Sequence, residues 1–416
     1  PFNTTDYAPT GTELVTNGDF SAAGSNLVSN PNFTDTGSEL AVALTSFTPY
    51  TSGTSTVTYD GSIAELNIDA SDSLAVIYTP TKIFEDGKSY KIVVSMKGSA
   101  ALTASLAANA NQLQRIEFAT PVLTTEYQTF TYYFTQTAAG FDYNFAIKRK
   151  NGGGGASETI FIESVSVKEL GADWTVTNAG VGNIVQFNEN GAYLKRTVSS
   201  ATEITQSVYD ITKNYKVVID YSDVSGGVSI EANGDLSRTS LSEGVNTFYI
   251  APSSVDIKII CTNNTAEGTV NSVSVQELGE GWTVENNWSF GENKSIVTPD
   301  NVNSYIYQNF TGVNGRYYKF SYEILENTFI DATQLGLSGT SLFGNIILDA
   351  TVGLHTAYLQ ATNDTSTTAL RFYSSSSTGS LSLTNITVQE LDPNGYWTLG
   401  TGWSIGADKA ISTVTG

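Results

Sequence analysis

Five tryptophans are the side chains whose type and spacing point most directly to chemistry with a ligand. Trp174, Trp282 and Trp397 each precede a threonine, and Trp288 and Trp403 follow the last two of them by six residues (282 to 288, 397 to 403). An exposed aromatic ring can stack on a flat ligand such as a sugar, whereas a buried one fills a core. The sequence therefore offers these candidate carbohydrate-binding residues: Trp288, Trp403, Trp282 and Trp397.

The same tryptophans also have a structural interpretation. Trp174, Trp282 and Trp397 lie beside a linker at the start of each repeat, and tryptophan is highly buried on average. This position favours a role in closing the end of a domain. Trp288 and Trp403 are the better ligand candidates, because the repeat that begins at Trp174 has Gly180 at the corresponding position.

The residue types give little support to enzymatic catalysis. His355 is the only histidine, which excludes a Ser-His-Asp triad away from this residue and any His-rich zinc site. Cys261 is the only cysteine, which excludes a disulfide within the chain and a zinc site built from cysteines. Candidate carboxylates for glycoside hydrolysis, such as Glu85, Glu323 and Asp331, do not recur between repeats. We expect a non-enzymatic protein, with His355 on a strand surface and Cys261 buried as a small apolar residue.

The elements that must position these side chains repeat along the chain. One closing phrase with strand-like alternation occurs three times, at residues 164–170, 272–278 and 385–391. It reads Ser-Val-Ser-Val-Lys-Glu-Leu, Ser-Val-Ser-Val-Gln-Glu-Leu and Asn-Ile-Thr-Val-Gln-Glu-Leu. A period of more than a hundred residues (170 to 278, 278 to 391) is too long for a solenoid and indicates tandem domains.

The repeats divide the chain into modules. We predict a lead-in at residues 1–24, module one at 25–170, module two at 171–278, module three at 279–391, and the start of a truncated fourth module at 392–416. The phrase Leu-Val-x-Asn-x-x-Phe occurs in the lead-in at residues 14–20 and again at 27–33. The second copy is interpreted as the first strand of module one.

Composition and periodicity predict an all-β fold. Ser, Thr, Asn and Gly are abundant, 15% of residues are charged, and no segment has a sustained helical period. Short alternating segments separated by Gly and Asn turns are typical of β-sandwiches. We predict tandem jelly-roll β-sandwich modules that short linkers arrange as a rod.

Charge and hydropathy limit the partners. The formal net charge of -21 argues against nucleic acid and anionic membranes as partners, since both require a basic face. No apolar run approaches the 18 residues of a membrane span, so membrane insertion is not expected. The chain begins at Pro1 and ends at Gly416 just after a new repeat has begun, which indicates a piece of a longer protein.

The Leu-Val-x-Asn-x-x-Phe opening, the module-start Trp, the repeated Tyr-Lys strand and the closing Val-Ser-Val-x-Glu-Leu resemble a known group. They are similar to jelly-roll modules of the cellulose- and xylan-binding type, particularly the divergent tandem copies in phage tail and fibre proteins. The resemblance covers nearly the whole chain. It implies a virion surface or extracellular protein that contacts other virion proteins and host surface glycans, and homo-oligomers are compatible with it.

The resemblance also implies a cofactor and alternatives. A structural calcium ion often joins the first and last strands of such relatives, and here Asn17 and Asp19 match that pattern, although few carboxylates surround them. Two alternative functions stay open. One is a secreted bacterial surface or filament protein, and the other is the accessory carbohydrate-binding region of a polysaccharide-degrading enzyme.

Overall fold

The computed structural model describes residues 10–30, 33, 36–69, 74–111, 114–137, 142–150, 157–178, 182–232, 236–299, 303–329, 335–363, 370–375, 378–391, 398–406 and 409–412. The glycine loop at 152–155, the linker at 392–396 and Trp397 lie outside them. Within these ranges the chain forms antiparallel β-strands and one short 3-10 helix at Leu44–Ser46, so the predicted all-β fold is confirmed. No helix in the described part is long and apolar enough to cross a membrane.

The strands up to residue 170 fall into an N-terminal set and the body of module one. The N-terminal strands are β1 (Thr10–Glu13), β2 (Ala23–Asn26) and β3 (Thr36–Glu39). The strands of module one are β4 (Thr48–Thr51), β5 (Thr56–Asp60), β6 (Ile63–Ile68), β7 (Ala75–Tyr78), β8 (Ser89–Gly98), β9 (Leu102–Asn111), β10 (Gln114–Ala119), β11 (Val122–Leu123), β12 (Gln128–Thr135), β13 (Asn144–Arg149) and β14 (Glu158–Leu170).

The next strands form the bodies of modules two and three and a final hairpin. Module two contains β15 (Thr175–Asn178), β16 (Ile184–Asn188), β17 (Gly191–Lys195), β18 (Thr202–Ser207), β19 (Asn214–Gly226), β20 (Val228–Ala232), β21 (Leu236–Ser240), β22 (Gly244–Ile250), β23 (Asp256–Cys261) and β24 (Glu267–Leu278). Module three contains β25 (Thr283–Val284), β26 (Trp288–Gly291), β27 (Lys294–Val297), β28 (Ser304–Gln308), β29 (Tyr317–Asn327), β30 (Leu335–Leu337), β31 (Ile346–Ile347), β32 (Gly353–Gln360), β33 (Leu370–Ser374) and β34 (Leu381–Leu391). The hairpin contains β35 (Trp403–Gly406) and β36 (Lys409–Ser412).

Each module is a sandwich of two sheets with the same strand order. In module three one sheet runs β26-β27-β34-β29-β32, and the other runs β25-β28-β33-β30-β31. Module two repeats this as β16-β17-β24-β19-β22 and β15-β18-β23-β20-β21. In module one, read in the same direction, the sheets run β5-β6-β14-β8-β12 and β4-β7-β13-β9-β10. The repeated closing phrase is the end of β14, β24 and β34, the central strands of the first sheets.

Alternating burial explains why these segments form two-layer sheets. Along β6 every second residue is fully buried, and β28 has the same period. Successive side chains of a strand point to opposite faces, so each strand contributes one face to the core and one to solvent. Among the described residues three separate apolar cores result, one in each sandwich.

The N-terminal strands do not belong together, which corrects the predicted boundaries. β1 pairs with β34 of module three, β2 pairs with β24 of module two, and β3 pairs with β14 of module one. The phrase at residues 27–33 is therefore not the first strand of module one, and the lead-in completes module three. Residues 10–40 run along the modules in the reverse order of the chain, and we call them the strap.

The strap attaches to the three modules through one repeated contact. A side-chain oxygen of Glu13, Asn26 or Glu39 accepts hydrogen bonds from two backbone N–H groups, one of them two residues further along the strap. The other N–H belongs to a valine of the closing phrase. The donor–acceptor distances are 2.7 Å from Val388 to Glu13, 2.9 Å from Val275 to Asn26 and 2.7 Å from Val167 to Glu39. These acceptors satisfy backbone groups where the register shifts.

Aromatic packing fixes the strap to modules two and three. Phe20 is buried with its ring centroid 5.3 Å from that of Trp282, and Phe33 is buried 5.2 Å from Trp174. The indole Nε1 of Trp282 also donates to the carbonyl oxygens of Thr16 and Asn17, both at 3.2 Å. The module-start tryptophans therefore hold the strap inside the core.

A glutamine in each of these two modules holds the strap backbone. Gln308 Oε1 accepts from the Thr16 N–H at 2.8 Å, and its Nε2 donates to the Thr16 carbonyl at 2.9 Å. Gln206 makes the same pair of bonds with Ser29, at 2.9 and 3.1 Å. A side-chain amide that satisfies both groups of one strap residue acts as a substitute for a missing strand.

The strap contact in module one should depend on pH, because its acceptor is the Glu39 carboxylate. Burial raises the pKa of Glu39, but hydrogen bonds from Ser166, Val167 and Ala41 and the charge of Lys168 prevail, so the pKa of this carboxyl is lowered. The contact therefore stabilises the fold above the unfolded pKa of about 4.3 and weakens as pH falls through the lower folded value. We expect hydrogen exchange at the Val167 amide to accelerate below about pH 4, relative to neutral pH and after correction for intrinsic rates.

Module two supplies the matched control for this experiment. Its equivalent acceptor is the neutral Asn26, so protection of the Val275 amide should not change over the same pH range. A Glu39→Gln variant should lose the pH dependence at Val167. Equal acid sensitivity at both valines would contradict a role for the Glu39 carboxylate.

The junctions between modules also repeat. The last leucine of the first two closing phrases packs into the next core, since Leu170 belongs to the core of module two and Leu278 to that of module three. At the first junction the Phe187 N–H donates to Ser89 Oγ at 3.0 Å. In the hairpin, Trp403 pairs with Ser412 as Trp288 pairs with Val297. Its strand β35 contacts β29 and β32 of module three.

Candidate functional site

Two of the four candidate sugar-binding tryptophans are buried. Trp288 is 5% exposed on β26 and Trp282 is 8% exposed against the strap, so neither ring presents a face to solvent. The prediction that these two rings stack on sugars is therefore wrong, because each indole fills the core of module three. The structural interpretation of the module-start tryptophans holds for Trp282 and also for Trp174, which is 5% exposed.

The other two candidates have different outcomes. Trp403 lies on β35 and is 48% exposed, so its ring stays available to a ligand. Trp397 lies outside the described residues. On the two described strands of the hairpin Trp403 has no second aromatic residue beside it, since Ile405 and Ile411 are the other large apolar residues there. The candidate therefore stays a prediction with a single ring.

A larger aromatic face lies on the second sheet of module three. Tyr305 and Tyr307 alternate on β28 with the buried Ile306, and Arg371 and Tyr373 alternate on β33 with the buried Phe372. Tyr305 lies opposite Tyr373, and Tyr307 lies opposite Arg371. Since one face of each strand fills the core, the three tyrosines and the arginine share the outer face. We call these four residues the tyrosine face.

Contacts within the tyrosine face hold its side chains in place. The Arg371 guanidinium lies 3.8 Å from the ring centroid of Tyr305 and 5.5 Å from that of Tyr307. Its Nη2 donates to Glu285 Oε2 at 2.9 Å. Cation–π contacts and a charge-assisted hydrogen bond together restrict the arginine and the two rings. The face is therefore largely preorganised.

Tyr373 lies flat on the sheet. Its ring covers Gly336 of β30, where an added Cβ would lie 2.5 Å from ring atom Cε1. A glycine inside a strand marks the close approach of another group, and here it makes room for the ring. The ring edge and hydroxyl therefore reach across the neighbouring strand, which extends the face beyond β28 and β33.

Module two does not have this face. The strand pairs β18–β23 and β28–β33 correspond residue by residue through Gln206 and Gln308, which make equivalent bonds with the strap. The equivalents of the tyrosine face in module two are Glu203, Thr205, Lys258 and Ile260. The same strand pair therefore carries charged, hydroxyl and aliphatic side chains in module two and three tyrosines with an arginine in module three. The scaffold does not require the rings.

His355 and Cys261 have structural surroundings. The His355 ring stacks on Tyr322 at 5.0 Å, and its Nε2 contacts the Thr351 carbonyl oxygen at 2.7 Å. Asn246, the equivalent in module two, donates to the Ser242 carbonyl at 2.8 Å, so both residues fix the loop before the strand. Cys261 is buried and unpaired, as predicted, and burial raises its thiol pKa to about 12.

Asn17 and Asp19 use their oxygens within the strap turn. Both carboxylate oxygens of Asp19 accept hydrogen bonds from Ser21, which lower its pKa, and Asn17 Oδ1 accepts from the Ala22 N–H at 2.9 Å. In the described part of the chain, no three His, Cys, Asp or Glu side chains are grouped so that they could hold a metal ion. The calcium ion that the resemblance implies therefore stays a prediction.

Sequence reasoning missed the tyrosine face although a signal was present. The segments Ser-Tyr-Ile-Tyr-Gln at 304–308 and Leu-Arg-Phe-Tyr-Ser at 370–374 alternate with period two, with Ile306 and Phe372 as the core residues. The alternate positions, which are Tyr305, Tyr307, Arg371 and Tyr373, must then face outward. What the sequence could not show is that β28 and β33 pair, which brings these positions together.

Comparisons with known proteins return carbohydrate-binding modules as structural neighbours. A family 4 carbohydrate-binding module is 16% identical, covers 30% of this chain and 95% of its own, and has a TM-score of 0.26. A family 29 module variant is 14% identical and covers 32% of this chain and 89% of its own, with a TM-score of 0.25. A further family 29 variant, solved with mannohexaose, is 14% identical and covers 36% and 89%, with a TM-score of 0.24.

Two other searches returned no match. No protein-family model matches the chain, and no curated protein matches it. A functional assignment must therefore come from the residues of the chain itself.

Proposed function

We propose that this chain is a non-enzymatic, multi-module surface protein whose third module binds glycans through the tyrosine face. The observation that carries the proposal is the restrained cluster of three aromatic rings and a guanidinium on the outer face of one sheet. Such a surface has apolar faces for the C–H groups of a sugar ring, while the phenol hydroxyls, Glu285 and Arg371 supply hydrogen-bond partners for its hydroxyls.

The contrast with module two supports a role in binding. The equivalent positions there form a stable strand pair without any aromatic ring, so packing alone does not explain the rings of module three. Exposed tyrosines contribute large contact areas and lose little conformational entropy on binding. A glycan site on one module would place the neighbouring modules in the role of spacers.

Substitution of module two residues into module three tests the proposal. We expect Tyr307→Thr and Tyr373→Ile each to weaken binding to the recognised polysaccharide by at least about tenfold, since losing one stacked ring removes roughly 1.4 kcal/mol or more. The measurement is affinity electrophoresis or a glycan array with the full chain, followed by calorimetry on the best ligand. Each replacement occurs naturally at the same position of β18 or β23, so the strands should persist.

A matched control separates the site from general aromatic adhesion. Tyr78→Thr removes a partly exposed tyrosine from the corresponding sheet of module one, and binding should not change. Thermal unfolding of all variants should agree with that of the parent chain. The proposal fails if the parent chain binds no glycan on a broad array, or if Tyr307→Thr binds as well as the parent.

The finer assignment rests on the sequence resemblance. We propose a virion surface protein, such as a tail fibre, head fibre or decoration protein, that contacts other virion proteins. If several copies assemble on one particle, weak sites on each copy would raise the overall avidity without a tight site. Mass spectrometry of purified virions tests this assignment, because a secreted bacterial protein or an enzyme accessory region would be absent from them.

A further inference from the structure

A groove of module three lies on the opposite sheet from the tyrosine face. It has a volume of about 510 Å³ and runs between the strap and the six-stranded sheet. Strap residues 13–19 form one wall and strands β29, β32 and β34 form the floor. The side chains from these strands that matter here are Lys319, Ser321, Leu354, Thr356, Asn385 and Thr387.

The floor of the groove contains a strained bulge. Asn385 has φ 49°, in the left-handed region that few residues other than glycine adopt, and the register of β29 against β34 shifts between Ser321 and Glu323. The Asn385 Nδ2 donates to Glu323 Oε2 at 2.6 Å. The equivalent residues Ser164 and Ser272 have no positive φ. The register shift itself occurs at this place in all three modules, so the left-handed Asn385 is what distinguishes module three. A bulge re-aims the side chains beside it.

Lys319 is the cationic side chain that lines the groove. The carboxylates of Glu13, Asp19 and Glu323 accept hydrogen bonds from Val388, Ser21 and Asn385 respectively, which offset their negative charge only in part. No carboxylate of the described residues forms an ion pair with Lys319. By contrast, Lys216, its equivalent in module two, lies 3.8 Å from Glu292.

The other side chains suit a sugar ring. The hydroxyls of Ser321 and Thr356 hydrogen-bond to each other at 3.0 Å, so one of them keeps a proton to donate to a ligand and both keep acceptor capacity. Leu354 is 69% exposed, an unusual degree for leucine, and offers an apolar surface in the same groove. A ligand with a carboxylate, several hydroxyls and one apolar face matches the ammonium, the hydroxyl pair and the leucine.

We propose that this groove is a binding site for a carboxylate-bearing saccharide, with the carboxylate on Lys319 and ring hydroxyls on Ser321 and Thr356. The net charge of -21 opposes an anion at long range, but salt screens that repulsion beyond about 8 Å at physiological ionic strength. Inside the groove the carboxylates of Glu13 and Asp19 oppose an anion at short range, so the contacts with Lys319, Ser321 and Thr356 must outweigh that repulsion. This site differs from the tyrosine face in residues, sheet and ligand charge.

Because strap residues form one wall, the ligand binds only when the strap is docked on module three. Ligand binding must then stabilise the docked strap, with a magnitude set by the ligand concentration relative to its dissociation constant. The reporter is the Leu14 N–H, which donates to the Val388 carbonyl at 3.0 Å. Its hydrogen exchange should slow when the ligand is added.

The test uses the full chain with trigalacturonate and its methyl-esterified, uncharged form. We expect calorimetry or NMR titration to detect binding of the acid, with the ester at least about tenfold weaker, since a hydrogen bond to a charged group contributes at least that much. Lys319→Met should lose the preference for the acid. Lys91→Met, at the equivalent position of module one, should bind like the parent.

Specific outcomes overturn the proposal. Equal binding of acid and ester, unchanged binding by Lys319→Met, or no binding of the acid at 10 mM (about 2.7 kcal/mol of binding free energy) would each do so. Tyr307→Thr should leave binding of the acid unchanged, so failure of the tyrosine-face proposal is distinguished from failure of this one. Slower exchange at Leu14 without a change at Leu27 of module two would locate the ligand at module three.

Discussion

Replacement of Phe20 by alanine is expected to release the strap from module three. The ring is 1% exposed and lies between Trp282 and Phe290, with centroid distances of 5.3 and 5.5 Å. Truncation of a buried phenylalanine costs about 3–5 kcal/mol, because the lost burial adds to a cavity that relaxes only in part. Chemical denaturation followed by tryptophan fluorescence should show this loss in the transition that exposes Trp282.

The change should be local to one module. Hydrogen exchange of residues 10–20 should accelerate strongly, while the amides of Val275 and Val167, which receive the other two strap strands, keep their protection. Leu27→Ala is the matched control within the strap, because Leu27 is 41% exposed and its truncation should cost little. Unchanged protection of residues 10–20 in Phe20→Ala would show that the aromatic contact does not hold the strap.

Replacement of Gly279 by alanine is expected to damage the junction between modules two and three. This glycine has φ 71°, and an added Cβ would lie 2.1 Å from the ring of Phe290. The left-handed backbone costs an L-residue about 1–2 kcal/mol, and the overlap with a buried ring costs about 1–3 kcal/mol more. We therefore expect a loss of about 2–5 kcal/mol of unfolding free energy.

The chain provides a glycine that separates these two costs. Gly315 has φ 82°, but an added Cβ there would meet no described heavy atom within 4 Å, so Gly315→Ala should show the backbone cost alone. Gly171→Ala, where Phe187 lies 2.4 Å from the added Cβ at the first junction, should behave like Gly279→Ala. If Gly315→Ala and Gly279→Ala lose equal stability, the contact with Phe290 does not matter.

Local patterns predicted the parts of the fold that depend on neighbouring residues. The alternation in the closing phrases predicted strands β14, β24 and β34, and the composition predicted an all-β chain of sandwich modules. The burial of Cys261 followed from its apolar strand. These predictions succeed because strand periodicity and turn residues are properties of short segments.

Pairing between distant segments could not be predicted in the same way. The copies at 14–20 and 27–33 are nearly identical, and nothing in either indicates that one joins module three and the other module two. The strap segment that pairs with module one was not recognised, because only Glu39 and Leu40 match Glu13 and Leu14 at the start of the first copy. The sugar-binding prediction for Trp288 failed for the same reason, since its burial depends on which strands cover it.

The reverse order of the strap also determines when each of its contacts can form during synthesis. The contacts of β3, β2 and β1 with their modules join residues that are 128, 249 and 375 positions apart. At a synthesis rate of about 5–20 residues per second, the last of these partners follows its strand by about 20–75 s. During that interval Val15 and Phe20 remain exposed beside an unpaired strand, which is the kind of edge that promotes aggregation. Strap residues 10–20 are thus synthesised before all three modules but dock last, and we expect nascent chains to need protection of the strap until module three is complete.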